Sequence, residues 1–152
     1  MIIKKIKAEK TFELRHPILR KVLPLNSCKF ENDTNSKSLH LGAFEGNKLI
    51  GVISALPNKC NFFYKKKAYQ IRGLAVLEKY RRNVIASALI EKTEIILKEK
   101  YLIDLIWLNS RIIASELYLQ NNYISYGEPF DIKISGTHQR FYKFLDLKFI
   151  EK

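Results

Sequence analysis

The chain has 152 residues and a formal net charge of +12, from 27 Lys and Arg against 15 Asp and Glu. That length fits one domain with a sizeable core, and a hydrophobic share of 47% excludes a disordered tail. The basic balance suits any polyanion, whether nucleic acid, an acidic membrane face or a phosphate-rich small molecule. Lys, Ile and Asn are abundant together, so the charge also reads as compositional bias.

The start, Met1-Ile2-Ile3-Lys4-Lys5-Ile6-Lys7, has no apolar stretch long enough for a signal peptide, and no later run approaches a membrane span. A cytoplasmic protein is expected. Cys28 and Cys60 lack CxxC spacing and metal-ligand neighbours, so they are expected as free thiols, with no metal site. Thr11 is placed to cap a first helix running to roughly Leu23, with Pro17 in an early turn or at a bend. Residues 24–37 are polar and irregular. Residues 39–44 read as a strand, Gly46-Asn47 as a hairpin turn, and residues 49–55 as the partner strand stopped by Pro57. Lys65-Lys66-Lys67, after Asn61-Phe62-Phe63-Tyr64, reads as a solvated basic loop.

Residues 68–76 form the next strand, and a helix starts near Asn83 or Val84. Its apolar face is Ala86, Leu89, Ile90, Thr93, Ile96 and Leu97, with Glu91, Lys92, Glu94, Lys98 and Glu99 opposite. Residues 103–108 read as a central strand buried on both faces. Asn109 or Ser110 caps a further helix carrying Ile113, Ala114, Leu117 and Tyr118, which Asn121-Asn122 ends. Residues 123–126 and 139–145 read as two late strands. The order is that of a mixed α/β protein.

Between the third strand and the long helix lies Tyr80-Arg81-Arg82-Asn83-Val84-Ile85-Ala86-Ser87. A strand running into a basic turn that opens a helix points several backbone N–H groups one way, where the helix end carries partial positive charge. That makes a place for phosphate, and arginines supply matching donors. Without further context such a turn reads first as a solvated loop.

With the preceding Leu74-Ala75-Val76, this stretch resembles motif A of the GNAT acetyltransferases, in which a strand ending Leu-Ala-Val meets Arg/Gln-x-x-Gly-x-Gly/Ala. Arg81 and Ala86 match the first and last loop positions, and Val84 replaces the middle glycine. Valine is stiff where glycine lets a backbone approach a ligand. It requires that residue 84 already be helical, its side chain pointing away from the phosphate. Residues 109–123, from Asn109 and Arg111 through Ala114 and Tyr118, are similar to the family's motif B, with Leu117, Asn122 and Tyr123 as mild replacements. The resemblance spans roughly 39–145.

The resemblance implies a single acetyltransferase domain over residues 1–152, with a central mixed sheet flanked by helices. It implies a cytoplasmic N-acetyltransferase that uses acetyl-CoA and no metal, and moves acetyl to a primary amine by direct attack. Arg81, Arg82, Asn83, Val84, Ile85, Ala86 and Ser87 would hold the pyrophosphate. The backbone of Leu74 and Val76, with Ala75 between them, would hold the pantetheine arm, Gly73 relieving crowding at a strand bulge. Asn109 and Tyr118 are carried to the cofactor side. Tyr118 matches the tyrosine that protonates the departing thiolate; otherwise it is an interior tyrosine.

The family's base is often a Glu on the strand before motif A, and Gln70 and Arg72 cannot serve. His138, in Gly136-Thr137-His138-Gln139-Arg140-Phe141, resembles a late Pro-His-x-x-Met stretch of one branch, and histidine is the side chain that changes charge near neutral pH. The alternative is a histidine in a surface turn. His16 and His40 have no such context and read as structural. Arg72 and Arg111 would line the acceptor side and attract an acidic substrate, or pair with core carboxylates. The acceptor is unread, and a homodimer is compatible with the reading. Two other functions stay open: a degenerate GNAT that binds CoA and regulates, and a basic nucleic-acid-binding module. Against the last, Phe62, Phe63 and Tyr64 cluster instead of interleaving with basic residues along a strand.

Overall fold

The computed structural model describes residues 1–64, 66–82 and 84–145. Its strands are β1 (Ile2–Lys5), β2 (Leu39–Glu45), β3 (Lys48–Pro57), β4 (Ala68–Val76), β5 (Leu105–Arg111), β6 (Ile124–Ile132) and β7 (Gly136–Phe144). Its α-helices are α1 (Ala8–Leu14), α2 (Ile85–Tyr101) and α3 (Ser115–Gln120). One seven-stranded sheet runs in the order β1-β2-β3-β4-β5-β7-β6. β4 and β5 are parallel, in register from Ala68↔Leu105 to Gln70↔Trp107, and α2 supplies the crossover that parallel strands need. The other described ladders are antiparallel. This is the mixed sheet flanked by helices expected from sequence. The chain divides into two compact units, residues 1–57 with 71–93 and residues 58–70 with 94–152.

In the first unit, the β2–β3 hairpin turns at Gly46-Asn47, with Gly46 at φ +59°. Leu14, Phe44, Leu49, Val52 and Ala75 make a core cluster, flanked by Ile6, Ile18, Leu19 and Leu77. The first helix departs from expectation. Thr11 lies inside α1, its hydroxyl donating to the Ala8 carbonyl, and Lys7 occupies the cap position. Helical backbone ends with a π-helical turn, Arg15–Leu19, well short of Leu23. Pro17 has no N–H for the ladder, and the wider turn absorbs that gap. Arg20 N closes it by bonding Arg15 O at 3.0 Å and His16 O at 3.1 Å. β1 has no alternating pattern to reveal it; its backbone pairing with β2, Ile2↔Phe44 to Lys5↔Leu41, makes it a strand.

The π-helical turn carries a wholly buried arginine. Arg15 grips Asp33 in a fork, Nη1 to Oδ2 at 2.7 Å and Nη2 to Oδ1 at 3.0 Å. Nη1 also donates to the Cys28 carbonyl at 2.8 Å, and Nη2 to Ser54 Oγ at 2.7 Å. Phe30 N donates to Asp33 Oδ2 at 2.8 Å. His40 closes the ring, with Nε2 2.8 Å from the Asp33 carbonyl and Nδ1 2.6 Å from Ser54 Oγ. A carbonyl only accepts, so Nε2 carries the proton and neutral Nδ1 accepts from Ser54. Residues 24–37 are irregular as expected, but they are anchored here.

The second unit holds β5, α3, β6 and β7. Asn109 and Ser110 do not cap a helix: they belong to β5, paired with Arg140 and Gln139 of β7. A 3₁₀ turn, Ile112–Ala114, intervenes before α3, whose cap position is Ala114. Ile113 is not on a buried face; it is 90% exposed. Asn122, at φ +68°, ends α3 as expected, and Tyr123 N donates to the Tyr118 carbonyl at 2.9 Å. The central strand begins at Leu105, two residues later than expected, and runs on to Arg111 because β7 keeps pairing with it. Glu94, expected on the polar face of α2, is half-buried; it accepts from Tyr123 Oη at 2.8 Å and Lys143 Nζ at 2.9 Å. β6 and β7 are longer than expected, with a register shift between Tyr126 and Phe130 where Pro129 cannot donate. Gln139 Nε2 donates to the carbonyls of Tyr126 and Gly127 there, each at 3.0 Å. Cys28 and Cys60 are free and buried. Among the described residues, no helix is long and apolar enough to cross a membrane.

The His40 ring sets a pH dependence. Burial pushes its pKa below the ordinary histidine value, and Arg15 adds to this, while the Asp33 carbonyl, the Asp33 carboxylate and Glu9 oppose. The unfolded chain therefore binds the proton more readily than the folded one. The His40 contribution to stability is complete above the unfolded value of about 6.5 and is lost as pH falls from there toward the folded pKa. We expect the wild-type Tm to fall between pH 7 and pH 5 more steeply than that of His40→Gln, in melts followed by circular dichroism. Parallel profiles would show that His40 is not linked to proton uptake.

Candidate functional site

β4 delivers the first group of site residues. Leu74 is half-buried, and Ala75 and Val76 are buried. Gly73 takes φ +68°, and a Cβ there would stand 3.0 Å from Arg15 Nε and from the Phe30 ring. The expected bulge glycine is thus a point of close approach. Arg72 lies on the same strand, half-buried, its guanidinium carbon 4.0 Å from the Phe30 centroid.

After Val76 the chain makes a 3₁₀ turn, Glu78–Tyr80. Arg81 follows in extended backbone, and its Nε donates to the Val76 carbonyl at 3.1 Å. That bond anchors the turn and leaves both Nη groups unbonded among the described residues. Arg82 is exposed at φ +65°. Asn83 lies outside the described residues. Val84 corrects an expectation: it is not helical. Its φ is +60°, its side chain is 75% exposed, and α2 starts one residue later, at Ile85. Its carbonyl accepts from Ala88 N at 3.0 Å, so Val84 is the last residue before the helix. A β-branched residue there is a genuine conformational outlier, costing about 1–2 kcal/mol. The position where the motif has glycine keeps the left-handed backbone that glycine favours. Ile85 is buried, while Ala86 and Ser87 are half-buried. An α-helix leaves its first N–H groups without partners in the helix itself, so this turn can receive phosphate oxygens.

The second unit holds the remaining residues. Asn109 is half-buried on β5, and its Oδ1 is a buried acceptor with no partner among the described residues. Such an atom costs about 1–3 kcal/mol unless a donor is supplied. Arg111 is exposed at the end of β5, in register with His138. Tyr118 is 7% exposed on α3, against Tyr123 at 5.8 Å and Phe141 at 5.9 Å between ring centroids. Burial raises its pKa far above the ordinary phenol value, so it keeps its proton. Its hydroxyl makes no hydrogen bond among the described residues.

His138 is not in a turn. It lies within β7, 6% exposed, held by Arg111 on one side and Phe130 on the other. Its Nδ1 is 2.8 Å from the Gly136 carbonyl. A carbonyl accepts only, so Nδ1 carries a proton and Nε2 is the basic nitrogen of the neutral ring. Gln70, rejected as a base from sequence, is buried and engaged: its Oε1 accepts from Asn58 Nδ2 at 2.8 Å. Sequence reasoning passed over Phe30, the ring on which Arg72 rests, because an isolated aromatic in an irregular segment carries no periodic signal.

The sequence matches the Acetyltransferase (GNAT) family over residues 5–123. It is 36% identical over 143 residues to the uncharacterized N-acetyltransferase YitI of Bacillus subtilis, covering 94% of this chain and 95% of that one. Its fold is similar to that of an aminoglycoside 6'-N-acetyltransferase solved with coenzyme A, at a TM-score of 0.77 and 15% identity over 96% and 98% of the two chains. It is similar also to Escherichia coli ElaA, at 0.75 and 12% over 94% and 99%. Arabidopsis thaliana NAA60, solved with a bisubstrate analogue, gives 0.74 and 16% over 94% and 97%. The motif match along the chain and the mixed sheet with its strand–turn–helix agree on one conclusion: the chain belongs to the GNAT acetyltransferase family and is an N-acetyltransferase.

Proposed function

We propose that the protein moves an acetyl group from acetyl-CoA to a primary amine in a single direct attack, as one acetyltransferase domain. The family match runs from residue 5 to residue 123 through both compact units, which supports one domain. The observation that carries the reading is the left-handed backbone at Arg82 and Val84, just ahead of α2. It favours N–H groups directed at one anion, the pyrophosphate. Arg81 and Arg82 would face its oxygens, with Asn83, Ile85, Ala86 and Ser87 completing the turn. The backbone of Leu74, Ala75 and Val76 would align the pantetheine arm. Asn109 Oδ1, buried and unpartnered among the described residues, suits a pantetheine amide N–H. An enzyme of this kind draws on the acetyl-CoA inside the cell, which supports a cytoplasmic location.

In the reaction, the neutral amine nitrogen bonds to the thioester carbonyl carbon, and the carbon–sulfur bond then breaks. The amine loses a proton to a base, and the leaving thiolate gains one. Tyr118, kept protonated by burial, is the proposed acid, and His138 Nε2 the proposed base. Arg72 and Arg111 are proposed for the acceptor side. A nucleic-acid module is less well supported, because Phe62 stacks on Tyr126 at 4.2 Å and 11°, so these rings use their faces on each other.

Saturating acetyl-CoA, at about 100 times its Kd, should stabilise the protein by about 2.7 kcal/mol. Val84→Gly should raise the Tm of the free protein, by about 1 kcal/mol of relieved backbone strain, and tighten CoA binding. Melts and calorimetry read both. No shift at millimolar acetyl-CoA would remove the enzyme reading and favour a regulatory GNAT, and a less stable Val84→Gly would refute the left-handed assignment.

Tyr118→Phe and His138→Ala should each lower kcat about 10²–10⁴-fold, far more than either weakens acetyl-CoA binding. External imidazole should restore part of the rate to His138→Ala alone. Wild-type turnover in either variant returns that residue to a packing role.

A further inference from the structure

Phe30 gathers three cations. The guanidinium carbons of Arg15 and Arg72 each lie 4.0 Å from its ring centroid. Both guanidiniums therefore draw on the electron-rich face of one ring system. Arg20 stands 5.8 Å from the same centroid. The nearby anions do not balance this charge. Asp33 is committed to Arg15 at 2.7 and 3.0 Å and to Phe30 N at 2.8 Å. Glu31 is exposed and makes no ion pair among the described residues. Arg72 is half-buried, yet its guanidinium has no hydrogen bond or ion pair among the described residues. Burial lowers its pKa from the ordinary arginine value, Arg20 and Arg15 push the same way, and Asp33 and Glu31 oppose.

A partly desolvated cation without a counter-ion is a cost to folding. Contact with Phe30 holds the Arg72 guanidinium in place, and a guanidinium fork fits a carboxylate through two parallel N–H···O bonds. Gly73 keeps the strand close enough for this packing, since a Cβ would press on Arg15 Nε and Phe30 at 3.0 Å. Arg72 precedes Leu74 by two residues, about 7 Å along a strand, and lies on the far side of Leu74-Ala75-Val76 from the Arg81–Ser87 turn. An anion held at Arg72 is therefore not the cofactor pyrophosphate.

We propose that Arg72, with Arg20 beside it, binds the carboxylate of the acceptor, so that the substrate is a small amino carboxylate of the amino-acid class. The inference rests on the acetyltransferase reading and supplies its missing substrate class. Polycationic amines are repelled from the same place.

The test is release of CoA thiol with α-amino acids, their amides, their decarboxylated amines and spermidine as acceptors. Calorimetry with acetyl-CoA runs beside it. We expect wild type to prefer amino acids over their amides by about 10- to 100-fold in kcat/KM. Arg72→Gln should erase that preference through the KM for the amino acid. It should leave the KM for the amide and the Kd for acetyl-CoA unchanged. Arg72→Met, which keeps bulk against Phe30, should behave alike and melt no lower than wild type, whereas a purely structural arginine would lower the Tm. Arg20→Gln should have a smaller effect of the same kind. Equal losses for amino acid and amide, a preference for spermidine, or weakened acetyl-CoA binding in Arg72→Gln would overturn the proposal. So would acetyl-CoA binding with no turnover of any acceptor. Failure to bind acetyl-CoA at all would instead remove the acetyltransferase reading beneath it.

Discussion

The buried pair of Arg15 and Asp33 is the constraint on which the first unit depends. It ties the π-helical turn to residues 24–37, and through Ser54 and His40 to β3 and β2. A buried ion pair contributes little net stability, but removing one partner leaves an uncompensated charge and costs about 3–5 kcal/mol. The pair is completed by bonds to Cys28 O, Phe30 N and Ser54 Oγ, so nearly every donor and acceptor is used. Arg15 Nε has no hydrogen-bond partner among the described residues, and it faces Gly73. The network thus fixes Phe30, and Phe30 fixes Arg72. A structural ion pair in one segment decides where a strand presents a cation.

The turn between β4 and α2 shows a different economy. Glycine would hold the left-handed backbone at position 84 without strain, whereas valine holds it at a cost. The conformation persists because both ends are set by other bonds. Arg81 Nε is tied to the Val76 carbonyl on one side, and Ala88 N to the Val84 carbonyl on the other. Strain of this kind survives where the surroundings over-determine the backbone. The exposed valine side chain keeps the branched carbon out of the helix and the core.

In the second unit, ladder pairing overrode local preference. Asn109 and Ser110 are good cap residues, yet β7 holds them in β5. The same ladder takes His138 out of a turn and gives its ring a defined tautomer through the Gly136 carbonyl. Burial does for Tyr118 what no neighbouring charge does: it keeps the phenol protonated.

The sequence by itself determined the features that rest on local chemistry. The 68–76 strand, the basic turn and the amphipathic helix after it follow from periodicity and charge. The Gly46-Asn47 hairpin and the Asn122 helix end follow from residues that accept positive φ. Two motifs in order then identified the family. Only the tertiary structure decided what depends on partners distant in the chain. Thr11 looked like a cap, but the Lys7 backbone starts α1 and Pro17 widens its end. β1 exists because β2 offers it a backbone edge. Phe30 and Asp33 are unremarkable in sequence, and burial against Arg15 gives them their roles. Arg72 could have been paired with a core carboxylate; among the described residues it is not, and Asp33 is already taken by Arg15. Competition among charges brought together by folding cannot be read from spacing along a chain.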